Sequence, residues 1–140
     1  MDIRELVEST VQKYHTRCPY ELSDLLDIQI IRCELGSIRG YYLKKFRIKQ
    51  IILNCDLMYE DEKFVLAHEI GHCIMHPDIN TNFWSEYTNL PIKRLEIEAN
   101  KFAVELLIPN EVILENWHCT TRQLAGLTGY SEDLIKLRLK

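Results

Sequence analysis

The sequence predicts an α+β fold, in which a short antiparallel sheet in the first half of the chain packs on helices that make up most of the rest. Three observations predict it. Apolar residues recur at helical spacing at the start of the chain and again after residue 60. β-favouring residues cluster between Gly40 and Leu53. Pro or Gly stands at most points where one pattern gives way to another. With 140 residues, ordinary apolar (46%) and charged (27%) shares and no repeat or linker-like tract, the whole chain 1–140 reads as a single domain with its own core.

The elements follow in order. Over residues 2–14, Ile3, Leu6, Val7, Val11 and Tyr14 fall at helical intervals and predict an amphipathic helix. Pro19 suits the first turn of a second, short helix reaching about residue 27, because its missing N–H would be unpaired there in any case. Residues 28–33 read as a strand. Gly36 and Gly40 bracket a turn, and residues 41–46 and 48–53 supply the strands of the antiparallel sheet, ended by Asn54 and Asp56. A helix is expected from about residue 61 to 76, acidic in its first turn, where the helix dipole is positive, and stopped by Pro77. Residues 77–91 mix Asp, Asn, Thr and Ser with Phe83, Trp84 and Tyr87 and predict a long loop, a length often found at functional sites. Residues 92–108 form a second strongly periodic helix closed by Pro109, and the tail 110–140 divides into short helices broken at Gly126 and Gly129.

Composition excludes several classes. A net charge of -4 repels a phosphate backbone and argues against a dedicated nucleic-acid binder. The opening Met1-Asp2-Ile3-Arg4-Glu5 lacks the basic end and apolar run of a signal peptide, and no window approaches the roughly 18 apolar residues of a membrane span, so the expected location is the cytoplasm. Cys18, Cys33, Cys55, Cys73 and Cys119 are odd in number and lack a C-x-x-C pair, which suits a reducing compartment. Cys73 alone stands near histidines as a candidate nucleophile.

His68-Glu69-Ile70-Gly71-His72 is an H-E-x-x-H sequence, and on a helix its two histidines share one face and can bind one ion together. Glu69 is turned about 100° from His68, off the chelating face but able to reach a water held by the ion, which is the position of a general base. The pattern alone also arises by chance on surface helices. Against that, Phe64, Val65, Leu66, Ala67, Ile70, Ile74 and Met75 make the flanking helix largely apolar, and Gly71 costs about 1 kcal/mol there unless close packing requires it.

His76 continues the series, but about 12 Å of helical rise separates it from His68, so the two cannot share an ion. It reads as a residue at the negative helix end or as a partner of a ligand histidine. The third ligand lies between Glu96 and Glu98. The helical wheel sets Glu96 at the margin of the apolar stripe and Glu98 opposite, among Arg94, Lys101 and Glu105, which selects Glu96. Asn100, one turn further, can orient a ligand histidine through a hydrogen bond, or be a plain surface residue. Two histidines and one carboxylate leave a coordination position open, as in catalytic zinc sites; Mn²⁺ is also compatible with these donors.

These residues resemble the ImmA/IrrE metallopeptidases. The resemblance rests on His68-Glu69-Ile70-Gly71-His72 with His76, on Glu96-x-x-Ala99-Asn100-x-Phe102-Ala103, and on Leu106-Leu107-Ile108-Pro109. It extends more weakly to Cys18-Pro19-Tyr20-Glu21-Leu22 and to residues 40–54. It implies a zincin-like, gluzincin-type domain with His68, His72 and Glu96 as Zn²⁺ ligands and Glu69 as catalytic base. It also implies a substrate: a helix-turn-helix repressor of a phage or mobile element, cleaved or inactivated to derepress that element. An oxyanion donor is expected among His118, Tyr41, Tyr42 and Tyr87, with no choice between them.

The tail from Thr120 to Leu139 itself resembles a helix-turn-helix, so a DNA-binding regulator is an alternative reading. Glu132 and Asp133 would then face phosphates at the start of the recognition helix, which argues against it. A further alternative is a metal-bound module that releases a repressor without cutting it.

Overall fold

A computed structural model of the chain describes residues 2–81 and 90–140, and the structural statements below concern these residues. Helix α1 (Ile3–Tyr14) opens where the Asp2 carboxylate accepts the backbone N–H of Arg4 at 2.9 Å and of Glu5 at 3.3 Å, groups that a helix start otherwise leaves unpaired. Helix α2 (Pro19–Leu25) begins at the proline and stops two residues before the expected end. The strands are β1 (Ile28–Cys33), β2 (Gly40–Lys45) and β3 (Ile48–Asn54).

The β2–β3 hairpin is antiparallel, as the alternation predicts, with Gly40 opposite Leu53 and Lys45 opposite Ile48. Strand β1 departs from the expected wholly antiparallel sheet: it pairs with β3 in parallel, Ile28 opposite Lys49 and Cys33 opposite Asn54, so the order is β1-β3-β2 and the sheet is mixed. The physical reason lies in β3. Ile51, Ile52, Leu53 and Asn54 are all buried, so this strand is covered on both faces and takes the central place, where a continuous apolar run is stable.

Helix α3 (Tyr59–Met75) packs on β2 and β3 and is buried without interruption from Phe64 to Cys73. Helix α4 (Leu90–Leu107) lies across α3. Gly71 marks the closest approach: a methyl group there would sit 3.0 Å from Cβ of Phe102 on α4, inside any normal contact distance. The glycine therefore trades helix propensity for a tighter helix pair, as the sequence suggested. Leu66, Ile70, Phe102 and Leu106 fill the space between the helices and the sheet.

The tail forms α5 (Asn110–Glu115), α6 (Thr121–Thr128) and α7 (Glu132–Leu139). A reciprocal pair of hydrogen bonds between Thr120 and Gln123 opens α6, and Gly129 closes it at φ 85°, a left-handed value that glycine adopts without strain. Gly126 lies inside α6 rather than at a break. Helix α7 packs on α4, where Arg138, 3% exposed, meets Glu105, and Ile135 is fully buried in the core. Covering this side of α4 overturns one expectation: Glu105, assigned to a solvated face, is buried beneath α7 and paired with cations.

Candidate metal and catalytic site

The pitch of α3 brings His68 and His72 to one face, with their Nε2 atoms 3.1 Å apart. Helix α4 supplies the facing carboxylate. Glu96 Oε1 lies 2.8 Å from His72 Nε2 and Oε2 lies 3.1 Å from His68 Nε2. Ligand atoms around a tetrahedral Zn²⁺ at about 2.0–2.1 Å stand about 3.3 Å from one another, so this triangle of residues, which Glu96 joins through two different oxygens, fits one such ion once the carboxylate turns one oxygen to it. Glu98 takes no part and pairs with Arg94 at 3.6 Å.

Each histidine has a neighbour at its other nitrogen. Asn100 Oδ1 lies 2.8 Å from His68 Nδ1; as an acceptor it takes the Nδ1 hydrogen, which would leave Nε2 free to bind an ion once that nitrogen gives up its proton. His76 terminates α3, and its Nδ1 lies 3.3 Å from His72 Nδ1. His76 thus touches a member of the donor set without facing the triangle.

Glu69 sits beside the triangle, a carboxylate oxygen lying within 4.8 Å of a ring nitrogen of each histidine. It is 4% exposed and accepts a hydrogen bond from the Thr81 hydroxyl at 3.4 Å. Burial pushes its carboxyl up to about 7, the negative charge of Glu96 adding to the effect while His68 and Thr81 oppose it. Burial alone would depress His68, but hydrogen bonding to Glu96 and the charges of Glu69 and Glu96 outweigh it and raise His68 above its ordinary value. His72, fully enclosed, is pushed down to about 4 by burial and by the neighbouring His68. For Glu96, burial is outweighed by hydrogen bonds from both histidines, which hold it at about 2. Two carboxylates around imidazoles make a field that favours a positive charge at their centre. That is the chemistry a divalent cation needs.

The remaining candidates separate clearly. Tyr42 is fully buried and donates its hydroxyl to the Pro77 carbonyl at 2.8 Å, which makes it a core residue rather than an oxyanion donor. His118 is exposed between α5 and α6, edge-on to the Trp117 ring at 5.7 Å, and Tyr41 is half-buried on β2. Tyr87 lies outside the described residues. Cys73 is buried, and burial raises its thiol pKa, the opposite of what a nucleophilic thiolate requires. Thr81 escaped the sequence reading, since a threonine in a polar loop carries no local signal of contact with a buried glutamate.

Residues 24–140 match the family model described as the IrrE N-terminal-like domain of the M78 peptidases. An uncharacterized immunity region protein 2 of Bacillus phage phi105 is 37% identical over 139 residues, covering 97% of this chain and 88% of its own length. The metallopeptidase ImmA of Bacillus subtilis (strain 168) is 27% identical over 133 residues, covering 95% of this chain and 75% of its own. The α+β fold built on an H-E-x-x-H helix is the zincin-like one expected from the resemblance, and the chain belongs to the IrrE N-terminal-like family of M78 metallopeptidases.

Proposed function

We propose that this protein is a zinc-dependent endopeptidase in which His68, His72 and Glu96 hold one ion and Glu69 is the general base. The observation that carries the proposal is the donor set, in which the two Nε2 atoms lie 3.1 Å apart and meet different oxygens of Glu96 at 2.8 and 3.1 Å, beside a buried carboxylate of the H-E-x-x-H helix itself. When bound, the ion lowers the pKa of a coordinated water toward about 7 and polarises a peptide carbonyl. The chain's own residues do the rest. Glu69, buried beside the two histidines, is placed to accept a proton from water and to return it to the leaving amine. Asn100 holds the His68 ring in orientation, and His76 supports His72. The buried walls around His72 and Glu69 exclude bulk water and strengthen each of these interactions.

For the substrate we propose a helix-turn-helix repressor of a phage or mobile element, met in the cytoplasm. The names of the relatives support this reading: one is an immunity region protein and the other a metallopeptidase. Among the described residues no helix is long and apolar enough to cross a membrane. Direct DNA binding through α6 and α7 is disfavoured, because Ile135 of α7 is buried in the core and Arg138 is committed to Glu105 and the Ile108 carbonyl.

The test pairs the purified protein with the product of the neighbouring repressor gene and reads fragment masses and metal content. The natural protein is expected to cut the repressor. Glu69→Gln is expected to retain the metal and the partner while cleavage falls about 100- to 10,000-fold. If Glu69→Gln still derepresses, the protein acts by binding and the peptidase reading is wrong.

A further inference from the structure

Thr81 follows α3 at the end of a described segment and belongs to no helix or strand, yet it is 8% exposed. Strand β2 holds it in place. The Thr81 backbone N–H donates to the Tyr42 carbonyl at 2.9 Å, and the Tyr42 N–H donates to Thr81 Oγ1 at 2.6 Å. Nearby, the Lys44 N–H donates to Asn80 Oδ1 at 2.8 Å and the Tyr42 hydroxyl to the Pro77 carbonyl at 2.8 Å. Tyr42 and Lys44 are alternate residues of β2, so the segment lies along the strand edge that faces away from β3.

This arrangement determines where the one hydroxyl hydrogen of Thr81 goes. Its oxygen already accepts from Tyr42, leaving the Tyr42 carbonyl at 3.3 Å and Glu69 Oε2 at 3.4 Å as acceptors. The Tyr42 carbonyl has a second lone pair open, but a carboxylate is the stronger acceptor, which favours placing the hydrogen on the Glu69 side. Among the described residues, Thr81 is the hydrogen-bond donor to Glu69. A carboxylate bound through Oε2 cannot turn freely, and its other oxygen is left to meet a water.

We propose that Thr81 is the positioning residue of Glu69, transferring the rigidity of the sheet edge to the base. The proposal rests on the reading of Glu69 as the base. Misplacing a reacting group by about 1 Å can cost about 100-fold in rate, which sets the scale.

The test compares Thr81→Val, Thr81→Ala and Thr81→Ser in the metal-loaded protein, using a quenched fluorescent peptide that spans the cut found in the repressor. Thr81→Val is expected to lower kcat about 10- to 100-fold with KM and zinc affinity unchanged, and Thr81→Ser to restore most of it. Thr81→Ala serves if the valine variant does not fold, since it leaves room for a water at the Tyr42 N–H. A second readout needs neither metal nor turnover: the Glu69 carboxyl ¹³C resonance of the metal-free protein, identified by its loss in Glu69→Gln, is expected to move in Thr81→Val or Thr81→Ala and return in Thr81→Ser. An unmoved resonance, a kcat that rises, or a loss of zinc affinity parallel to the loss of kcat overturns the proposal. Full turnover by Glu69→Gln would instead overturn the reading of the base, while the resonance still reports on the contact.

Discussion

Helix α4 carries two glutamates whose surroundings differ in exposure and in the supply of positive charge. Glu105, 1% exposed, is enclosed by Arg4 with both oxygens at 3.2 Å, Lys101 at 2.9 Å and Arg138 at 3.3 Å. Glu96, about two and a half turns earlier, meets His68 and His72, with Glu69 adding a further negative charge nearby. One carboxylate is neutralised by the chain itself. The other completes a donor set that favours an external cation. Two acids of the same helix, one buried and one half-exposed, therefore differ in role because of what other elements bring to them.

The comparison can be broken at its structural end first. Glu105→Ala leaves Arg138, which is 3% exposed, without its carboxylate, and the loss of stability is expected to be about 3–5 kcal/mol. Urea unfolding in the presence of chelator measures it, and a loss below about 1 kcal/mol would place the pair with weak surface contacts.

At the other end, saturating zinc is expected to stabilise the natural protein by about 4 kcal/mol when free metal is 1,000 times the dissociation constant, by mass action. Glu96→Ala should abolish that gain while unfolding near the natural midpoint in chelator. A zinc-induced shift that survives Glu96→Ala would show that the carboxylate is not a ligand.

A smaller effect sharpens the same contrast. Asn100→Ala removes the acceptor at His68 Nδ1 and is expected to weaken zinc binding about 10- to 100-fold, read by competition with a chromophoric chelator. Unfolding in chelator should change little.

The smallest expected effect concerns Glu62, a partly solvated counterpart of Glu105. Hydrogen bonds from Arg32 and Tyr20 lower its carboxyl pKa despite burial, so its stabilising contribution is complete above the ordinary value of 4.5 and is lost as pH falls through the depressed folded value. With Arg32 48% exposed, screening limits this to about 1 kcal/mol or less. Urea midpoints of the natural protein and Glu62→Gln between neutral pH and pH 3, about a unit and a half below that ordinary value, should converge on the acid side. A gap that persists unchanged in acid would contradict the pairing.

The sequence by itself determined whatever repeats within a turn or two of chain. The period of α3, the shared face of His68 and His72, the stops at Pro77 and Pro109, and the β2–β3 hairpin all arise from local spacing and local backbone preference. The placement of Glu96, rather than Glu98, beside His68 and His72 was also legible, because the wheel of α4 already distinguishes its two sides. What only the tertiary structure decided involves residues far apart in the chain. The parallel pairing of β1, the burial of Glu105 under α7, the engagement of Tyr42 with Pro77 and the contact of Thr81 with Glu69 each depend on which element covers which surface. A helical wheel treats every polar face as facing water. Packing a second element on that face exchanges solvent for specific partners, and only the folded chain names them.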